Sequence, residues 1–127
     1  MPLEAGLRAE VTLTVTDADT AIALRSGDVP VLGTPRLIAL CEEATCAALH
    51  GHLEDGRTTV GLRVQLDHNQ ASLVGVEVRA EATLERVEGN RLTFTVAAHD
   101  ARGLIAAGRV TRVVVNRQRF LDKLAEP

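Results

Sequence analysis

One stretch of this chain has the spacing of a buried helix, and stretches typical of strands lie on both sides of it. From residue 34 onward, small and apolar residues occupy almost every face of a helical repeat, which predicts a largely buried helix. Gly33-Thr34-Pro35 is a start signal, with Thr34 as N-cap and Pro35 at the first helical position. The helix is expected to end near Gly51, or to fray to Gly56.

The flanking stretches alternate apolar and polar residues with a period of two, as half-buried strands do. One precedes the helix, over residues 7–15, and four follow it, over residues 60–67, 74–85, 92–98 and 104–115. Gly89-Asn90 predicts a tight hairpin, and a slip in the alternation near Gly108 suggests a bulge in the last strand. The order of these segments favours a four-stranded antiparallel meander that curves around one long helix, in an α+β fold.

Two further segments are a long loop and a short terminal helix. Residues 16–33 contain several turn-forming residues, with one helical turn expected over residues 20–24. A loop of this length in a compact domain is often a lid or a binding loop. Asn116 is placed to cap a terminal helix that holds Phe120, Leu121 and Leu124. Residues 1–127 are expected to form a single domain, since this length suits one core.

Composition argues against several classes of function. Only 2% of the residues are aromatic and the formal net charge is -3, whereas nucleic-acid binding needs a basic surplus and, for single strands, aromatic stacking. No apolar run approaches the ~20 residues that span a bilayer, so we expect no membrane partner. Cys41 and Cys46 are expected to be reduced core residues, which is consistent with a cytoplasmic location. No metal-ligand spacing is present, and neither a metal nor a cofactor is expected.

Three polar residues interrupt the apolar pattern: Thr34 opens the helix, Glu42 lies at its middle, and His68 ends the next strand. A carboxyl on an apolar helix is costly to bury without a partner. The parity of His68 with residues 60, 62, 64 and 66 places it on the face that meets the helix. Thr34 and Glu42 are eight residues apart, roughly 12 Å along a helix, so they cannot touch but could line one elongated site.

Each of these residues also has a plainer interpretation. Thr34 could be an ordinary N-cap whose hydroxyl is engaged by a backbone N–H. Glu42 could be a partly exposed carboxylate that pairs with an arginine. His68 could bond to the backbone, or lie exposed in the turn that follows the strand.

Gly61 and Arg112 are two further candidates. A glycine inside a strand marks either a bulge or packing gap, or a close approach of a ligand carbonyl to the backbone. Arg112 lies between two valines of the last strand, and is either turned inward or an edge charge that prevents aggregation.

Longer matching stretches extend over nearly the whole chain. They are Ser26-Gly27, Val31-Leu32-Gly33-Thr34-Pro35, Leu40-Cys41-Glu42, Thr58-Thr59-Val60-Gly61, His68 with Gly75, and Val87-Glu88-Gly89-Asn90-Arg91-Leu92. In these stretches the chain resembles the fluoroacetyl-CoA thioesterase-like branch of the hot-dog-fold thioesterases. The spacing of Thr34, Glu42 and His68 fits that family without gaps.

The resemblance implies a hot-dog fold, in which an antiparallel sheet wraps around one long central helix, paired into a homodimer with sites at the subunit interface. It implies hydrolysis of an acyl-CoA or related acyl thioester, with Thr34, Glu42 and His68 as the catalytic set. It also implies that Gly61 and Arg112 bind the substrate, Gly61 where the thioester carbonyl is held. Hydrolysis needs an activated nucleophile and a stabilised oxyanion. Whether Thr34, Glu42 or a water is the nucleophile stays open.

Two departures from the family pattern concern specificity. The fluoroacetyl-specific member has an aromatic gate in the loop before the helix, and residues 26–30 contain no aromatic here. Many members carry a His two residues before the last-strand arginine, where this chain has Val110. We therefore expect a broader or different, short-chain acyl group. Arg63, Arg86 and Arg91 could meet the phosphates of CoA, although surface arginines usually meet only water.

Other functions on the same fold remain alternatives. A non-catalytic module that binds acyl thioesters or other small molecules would gain weight if Glu42 were salt-bridged and inaccessible. A hydratase or dehydratase fits less well, because the adjacent Asp67-His68-Asn69 lack the spacing and the Asn-Pro flank of those relatives. An acyl carrier protein could replace CoA as the thiol carrier.

Overall fold

The central element is the helix α2, and a single sheet wraps around it. The computed structural model describes residues 3–127. Along the chain it contains β1 (Arg8–Thr14), a 3-10 turn (Asp17–Asp19), α1 (Ala21–Leu24), α2 (Thr34–Leu49), β2 (Arg57–His68), β3 (Glu77–Glu88), β4 (Arg91–Asp100), β5 (Gly103–Asn116) and α3 (Arg117–Ala125). The predicted helix, terminal helix and single helical turn all form.

The five strands form one antiparallel sheet with the order β1-β3-β4-β5-β2, so that β1 and β2 are its edges. α2 packs mainly against β1 and β3. The core between helix and sheet is built from aliphatic side chains and one aromatic ring, Phe94. This is the α+β hot-dog arrangement that the resemblance implies, and the structure confirms it.

Several local predictions hold, and several do not. The Gly89-Asn90 hairpin forms, with Gly89 at a φ of +62°, and Asn116 Oδ1 caps α3 by accepting from the Arg119 N–H at 2.9 Å. The strand predicted from residue 74 begins only at Glu77, because Gly75 adopts a φ of +94°. α2 is not buried on almost every face, since an exposed stripe runs along it: Ala39, Glu43, Cys46 and Ala47.

The last strand contains the predicted bulge, but it lies at Ile105 and not at Gly108. Gly108 keeps regular register with Leu66 and Val96, and the extra residue of β5 is Ile105, between the Ala98–Ala106 and His99–Leu104 pairs. Gly108 is needed for another reason: a Cβ there would lie 1.9 Å from the backbone oxygen of Gln65. The glycine lets β2 and β5 approach closely.

A bulge in β2 sets which residues face the helix. Gly61 pairs with Arg112 and Arg63 with Thr111, so Leu62 is an unpaired extra residue, 53% exposed. Beyond the bulge, Val64 and Leu66 pack against the core. The shared parity predicted for residues 60–68 is therefore wrong before the bulge. His68 lies on the helix face as expected, and so does Gly61, an odd number of residues away.

The two cysteines are free, as predicted, but only one lies in the core. Cys41 is buried, and burial together with the charge of Glu42 raises the pKa of its thiol to about 11. Cys46 is exposed on α2, which corrects its assignment to the core. Among the residues that the structure describes, no helix is both long and apolar enough to span a bilayer.

Candidate active site

A direct hydrogen bond joins Thr34 and His68. Thr34 is the first residue of α2, and its Oγ1 lies 2.9 Å from His68 Nδ1 at the end of β2. The N-cap is Gly33, whose carbonyl accepts the Arg36 and Leu37 N–H groups at 3.1 Å each. The prediction of Thr34 as N-cap is thus wrong by one residue. Its hydroxyl does not cap the backbone and is available to the histidine.

His68 has one bonded and one unbonded ring nitrogen. Nε2 is buried, and no group within residues 3–127 forms a hydrogen bond with it. Burial lowers the pKa of His68, and the nearby backbone of Gln70 offsets only part of that effect. A lowered pKa favours the neutral form of the imidazole, in which one ring nitrogen accepts a proton. A neutral histidine beside a hydroxyl is the arrangement of a base next to a nucleophile or a bound water.

The start of α2 is fixed by Asp19. Its carbonyl accepts the Gly33 N–H at 2.9 Å, and its carboxylate accepts the Thr16 N–H at 2.8 Å and the Arg36 Nε at 3.1 Å. Burial alone would raise the pKa of Asp19, but the hydrogen bonds from Thr16 and Arg36 bring it below its usual value. A charged Asp19 thus ties the 3-10 turn to the first turn of the helix, where Thr34 lies.

The segment after His68 is fixed from the opposite side. The Ser72 carbonyl accepts the Leu32 N–H at 2.8 Å, and the Ser72 hydroxyl donates to Asp100 Oδ2 at 3.0 Å. Asp100 also accepts the Arg102 N–H at 2.8 Å. These bonds join the loop before α2 to the loop after β2, so both chain segments that carry the Thr34–His68 pair are held.

A cavity of about 390 Å³ opens beside this pair. The loop before α2 forms one wall, and the segment after β2 forms another. Val29, 51% exposed, is an apolar side chain that this loop contributes to the cavity at its surface. The cavity is lined by Ala21, Ser26, Gly27, Asp28, Val29, Val31, Leu32, Thr34, His68, Asn69, Gln70 and Ala71. None of these is a phenylalanine, tyrosine or tryptophan.

Glu42 belongs to a second pair, with Arg112. Arg112 Nη1 donates to Glu42 Oε2 at 3.1 Å, and the two side chains are 9% and 34% exposed, respectively. Thr59 holds the arginine through its hydroxyl, 2.9 Å from Nε, and its carbonyl, 3.2 Å from Nη2. Arg112 is turned inward, as one of the two interpretations expected. Glu42 is salt-bridged but accessible, so only half of the condition that would favour a binding module is met.

Gly61 is the position on β2 that makes room for this carboxylate. A Cβ there would lie 2.7 Å from Glu42 Oε2 and 3.7 Å from Arg112 Nη1. Glycine at this position therefore has a steric reason within the chain, and it also leaves the backbone of β2 open to a ligand.

The structure therefore divides the five predicted residues into two clusters, Thr34 with His68, and Glu42 with Gly61 and Arg112. Glu42 pairs with the arginine and not with the histidine. In residues 3–127, no three His, Cys, Asp or Glu side chains are grouped so as to hold a metal ion.

Sequence reasoning missed two supporting residues. Thr59 positions Arg112, and Asp19 positions the start of α2. Thr59 has a usable signal, because it lies two residues before Gly61 and so shares its face of the strand. Asp19 has none, since its partners are brought close only by the fold of the loop.

Comparison with known proteins identifies the family to which the chain belongs. The family described as "Fluoroacetyl-CoA-specific thioesterase" matches residues 15–118. The chain is 32% identical over 96 residues to a fluoroacetyl-CoA thioesterase from Streptantibioticus cattleyicolor, which covers 76% of this chain and 69% of that protein.

Solved structures similar to this chain include members of the same family. The fluoroacetyl-CoA thioesterase FlK superimposes with a TM-score of 0.91 at 28% identity over 100% of both chains. A threonine-to-serine variant of FlK in complex with acetyl-CoA gives a TM-score of 0.90 at 27% identity over 96% of both chains. The chain therefore belongs to the fluoroacetyl-CoA-specific thioesterase family, and it is a thioester hydrolase.

Proposed function

We propose that this enzyme hydrolyses a short-chain acyl-CoA to the free acid and CoA, using Thr34, His68 and Glu42. The observation that carries the proposal is the 2.9 Å hydrogen bond between the Thr34 hydroxyl and His68 Nδ1 at the edge of the 390 Å³ cavity. A neutral imidazole in this position can take a proton from the hydroxyl, or from a water bound to it, and return it to the departing thiolate.

The position of Thr34 at the start of α2 supports a second task. The N-terminus of a helix carries partial positive charge, which stabilises negative charge nearby. A thioester carbonyl placed in the cavity beside Thr34 would develop its oxyanion in this field. The same end of the helix would thus supply both the proton transfer and part of the oxyanion stabilisation.

Glu42 supplies a carboxylate with one free oxygen. Arg112 bonds Oε2, while Oε1 takes no hydrogen bond from residues 3–127, and the arginine holds the carboxylate in place. Two routes fit this geometry. Glu42 attacks the carbonyl, the thiolate leaves, and water then hydrolyses the mixed anhydride; or Glu42 orients the attacking water. Gly61 and Arg112 keep the carboxylate where the substrate carbonyl would pass.

The two clusters cannot act on one atom within a single chain, because Thr34 and Glu42 are eight residues apart on α2, roughly 12 Å. We propose that the enzyme is a homodimer that joins the clusters of two subunits into each site. Two features support a second copy at this side of the molecule. β2 is an edge strand with unpaired backbone groups, to which a strand of the second copy can add, and the exposed stripe of α2 leaves a helix surface against which that copy can pack.

The substrate is proposed to be short, and not restricted to the fluoroacetyl group. The loop wall of the cavity presents Val29 and small residues, with no aromatic ring to close over the acyl group. A relative with the same fold binds acetyl-CoA. Acetyl to butyryl chains would fit against such a wall.

The test is free-thiol release from acyl-CoAs of two to ten carbons, with His68→Ala beside the wild type. We expect turnover of the short chains and a loss of about 10²–10⁴-fold in His68→Ala, because this is the usual contribution of a general base. His50→Ala is the matched control, since His50 is exposed beyond the far end of α2. Equal turnover in His68→Ala and wild type, or no turnover of any chain length, would contradict the proposal.

The shared site is tested by mixing two inactive variants, His68→Ala and Glu42→Ala, after unfolding and refolding them together. If each site takes residues from both subunits, half of the dimers are mixed and carry one intact site of two, so activity returns to about one quarter of wild type. If both residues come from one subunit, every site keeps a defect and the mixture stays inactive. Refolded wild type sets the reference.

A further inference from the structure

The convex face of the sheet, opposite α2, carries a basic cavity that the thioesterase chemistry does not use. Its volume is about 520 Å³, and four strands each contribute one arginine to it. These are Arg63 of β2, Arg86 of β3, Arg91 of β4 and Arg109 of β5. The chain has a formal net charge of -3, so a cluster of four arginines is a strong local departure from its average.

Two bulges turn arginines into this cavity. In β2, Gly61 faces the helix, and the extra residue Leu62 sends Arg63 to the other face. In β3, buried Leu84 pairs with Phe94 while Arg86 pairs with Thr93, which makes Glu85 an extra residue. Without the bulges, both arginines would share the face of Gly61 or Leu84 and point at the core. Bulges commonly re-aim side chains at functional sites, and here two of them converge on one cavity.

The positive charge of the cavity is only partly neutralised. Arg86 lies 3.5 Å from Glu88, and Arg109 lies 3.6 Å from Glu85, with every side chain of these pairs more than 40% exposed. Such exposed pairs are weak and give way to a stronger ligand. Neither Arg63 nor Arg91 has a carboxylate within 4.0 Å among residues 3–127.

The floor of the cavity is polar and closed. Thr93 lies at its base and is 9% exposed, although it is on the outer face of the sheet, and Thr111 is its direct neighbour across the β4–β5 pair. The arginines surround these two hydroxyls. Guanidinium groups grouped around hydroxyl donors suit phosphate oxygens, which accept bidentate, charge-assisted hydrogen bonds.

We propose that this basic cavity binds the phosphoryl groups of a nucleotide. Two sources have this chemistry: the nucleotide end of a CoA substrate, and a free nucleotide. The position of the cavity does not decide between these two sources. A CoA substrate would have to reach this outer face from the helix side of the sheet, where Gly61 lies, whereas a free nucleotide would not. Only this substrate arm rests on the proposed function.

The test uses ADP as probe and isothermal titration calorimetry as readout, on the wild type and on Arg63→Gln/Arg91→Gln. These two arginines have no ion pair to lose, so the fold should persist. We expect ADP binding to weaken at least about tenfold in the double variant, because two charge-assisted contacts are removed. Arg79→Gln/Arg119→Gln, with the same charge change on exposed arginines elsewhere, should bind ADP like wild type. No ADP binding by the wild type, or equal weakening in both double variants, would overturn the proposal.

Kinetics then separate the sources, with acetyl-CoA compared against S-acetylpantetheine, which lacks the phosphates. If KM for acetyl-CoA rises about tenfold in Arg63→Gln/Arg91→Gln while kcat/KM for S-acetylpantetheine is unchanged, the cavity binds the substrate's nucleotide. If ADP binding is lost but neither kinetic constant changes, it binds a free nucleotide. Because calorimetry needs no turnover, the absence of thioesterase activity would not affect the ADP result.

Discussion

The Thr34–His68 pair joins α2 to β2 and the Glu42–Arg112 pair joins α2 to β5, and the two pairs are completed differently. Arg112 donates to Glu42 and to two oxygens of Thr59, so every part of that guanidinium has a partner. His68 bonds Thr34 through one nitrogen and leaves the other buried without a partner. A charged pair needs full compensation to be stable in a partly buried place, whereas a neutral imidazole tolerates an incomplete set of bonds. The first pair is built to stay fixed, and the second retains capacity for proton transfer.

The largest expected effect on stability comes from breaking the charged pair. Arg112→Gln leaves Glu42 partly buried without a counter-charge and removes the bonds to Thr59. We expect the free energy of unfolding to fall by roughly 3 kcal/mol, measured by urea denaturation. The matched change in the neutral pair, Thr34→Val, should cost less than about 1 kcal/mol while lowering turnover. Equal costs in the two variants would contradict the contrast drawn between the pairs.

A smaller effect is expected from Gly61→Ala, which adds one methyl group 2.7 Å from Glu42 Oε2. The carboxylate must move or Arg112 must follow, and such overpacking costs about 1–3 kcal/mol. The same substitution in a Glu42→Ala background should cost much less, because the colliding atom is gone. A double-mutant cycle of unfolding free energies measures the difference. An additive cycle would show that the methyl group does not meet Glu42.

The smallest effect concerns pH. Burial places the pKa of folded His68 below the ordinary imidazole value of about 6.5. The unfolded chain therefore binds a proton that the folded chain resists, and His68 costs stability as pH falls below about 6.5 toward its folded pKa. As pH falls through this window, the free energy of unfolding of the wild type should decrease relative to that of His68→Gln. In the pH profile of kcat/KM, the midpoint of the acid limb should also lie below pH 6.5. A midpoint above that value would contradict the assignment of His68 as a buried, neutral base.

Much of the fold could be predicted because it follows from the periodicity of apolar residues and from the turn and capping residues between the periodic segments. The alternating strands, the helix after Gly33-Thr34-Pro35 and the Gly89-Asn90 hairpin are local signals, and all of them form. The faces of β2 could not be predicted, because a bulge is decided by pairing with β5. The glycine that seemed to mark a bulge, Gly108, instead accommodates the backbone of Gln65.

The candidate site could be predicted as a set of residues but not as a set of contacts. Thr34 and His68 come together through the loops that Asp19 and Ser72 tie down, and those loops have no periodic signal. The choice of Arg112 as the partner of Glu42 depends on the register between β2 and β5. An arginine was one of the partners expected for Glu42, and the register between β2 and β5 decides which arginine it is.

Leu62 shows how a position can be constrained by chain length and not by chemistry. Its side chain is 53% exposed and opposes no residue of β5, so most substitutions there should be neutral. Deleting it is another matter, since strict alternation would then turn either Gly61 away from Glu42 or Val64, Leu66 and His68 away from the core. Libraries that randomise position 62 should therefore yield active enzymes in abundance, and libraries that shorten β2 by one residue should yield none.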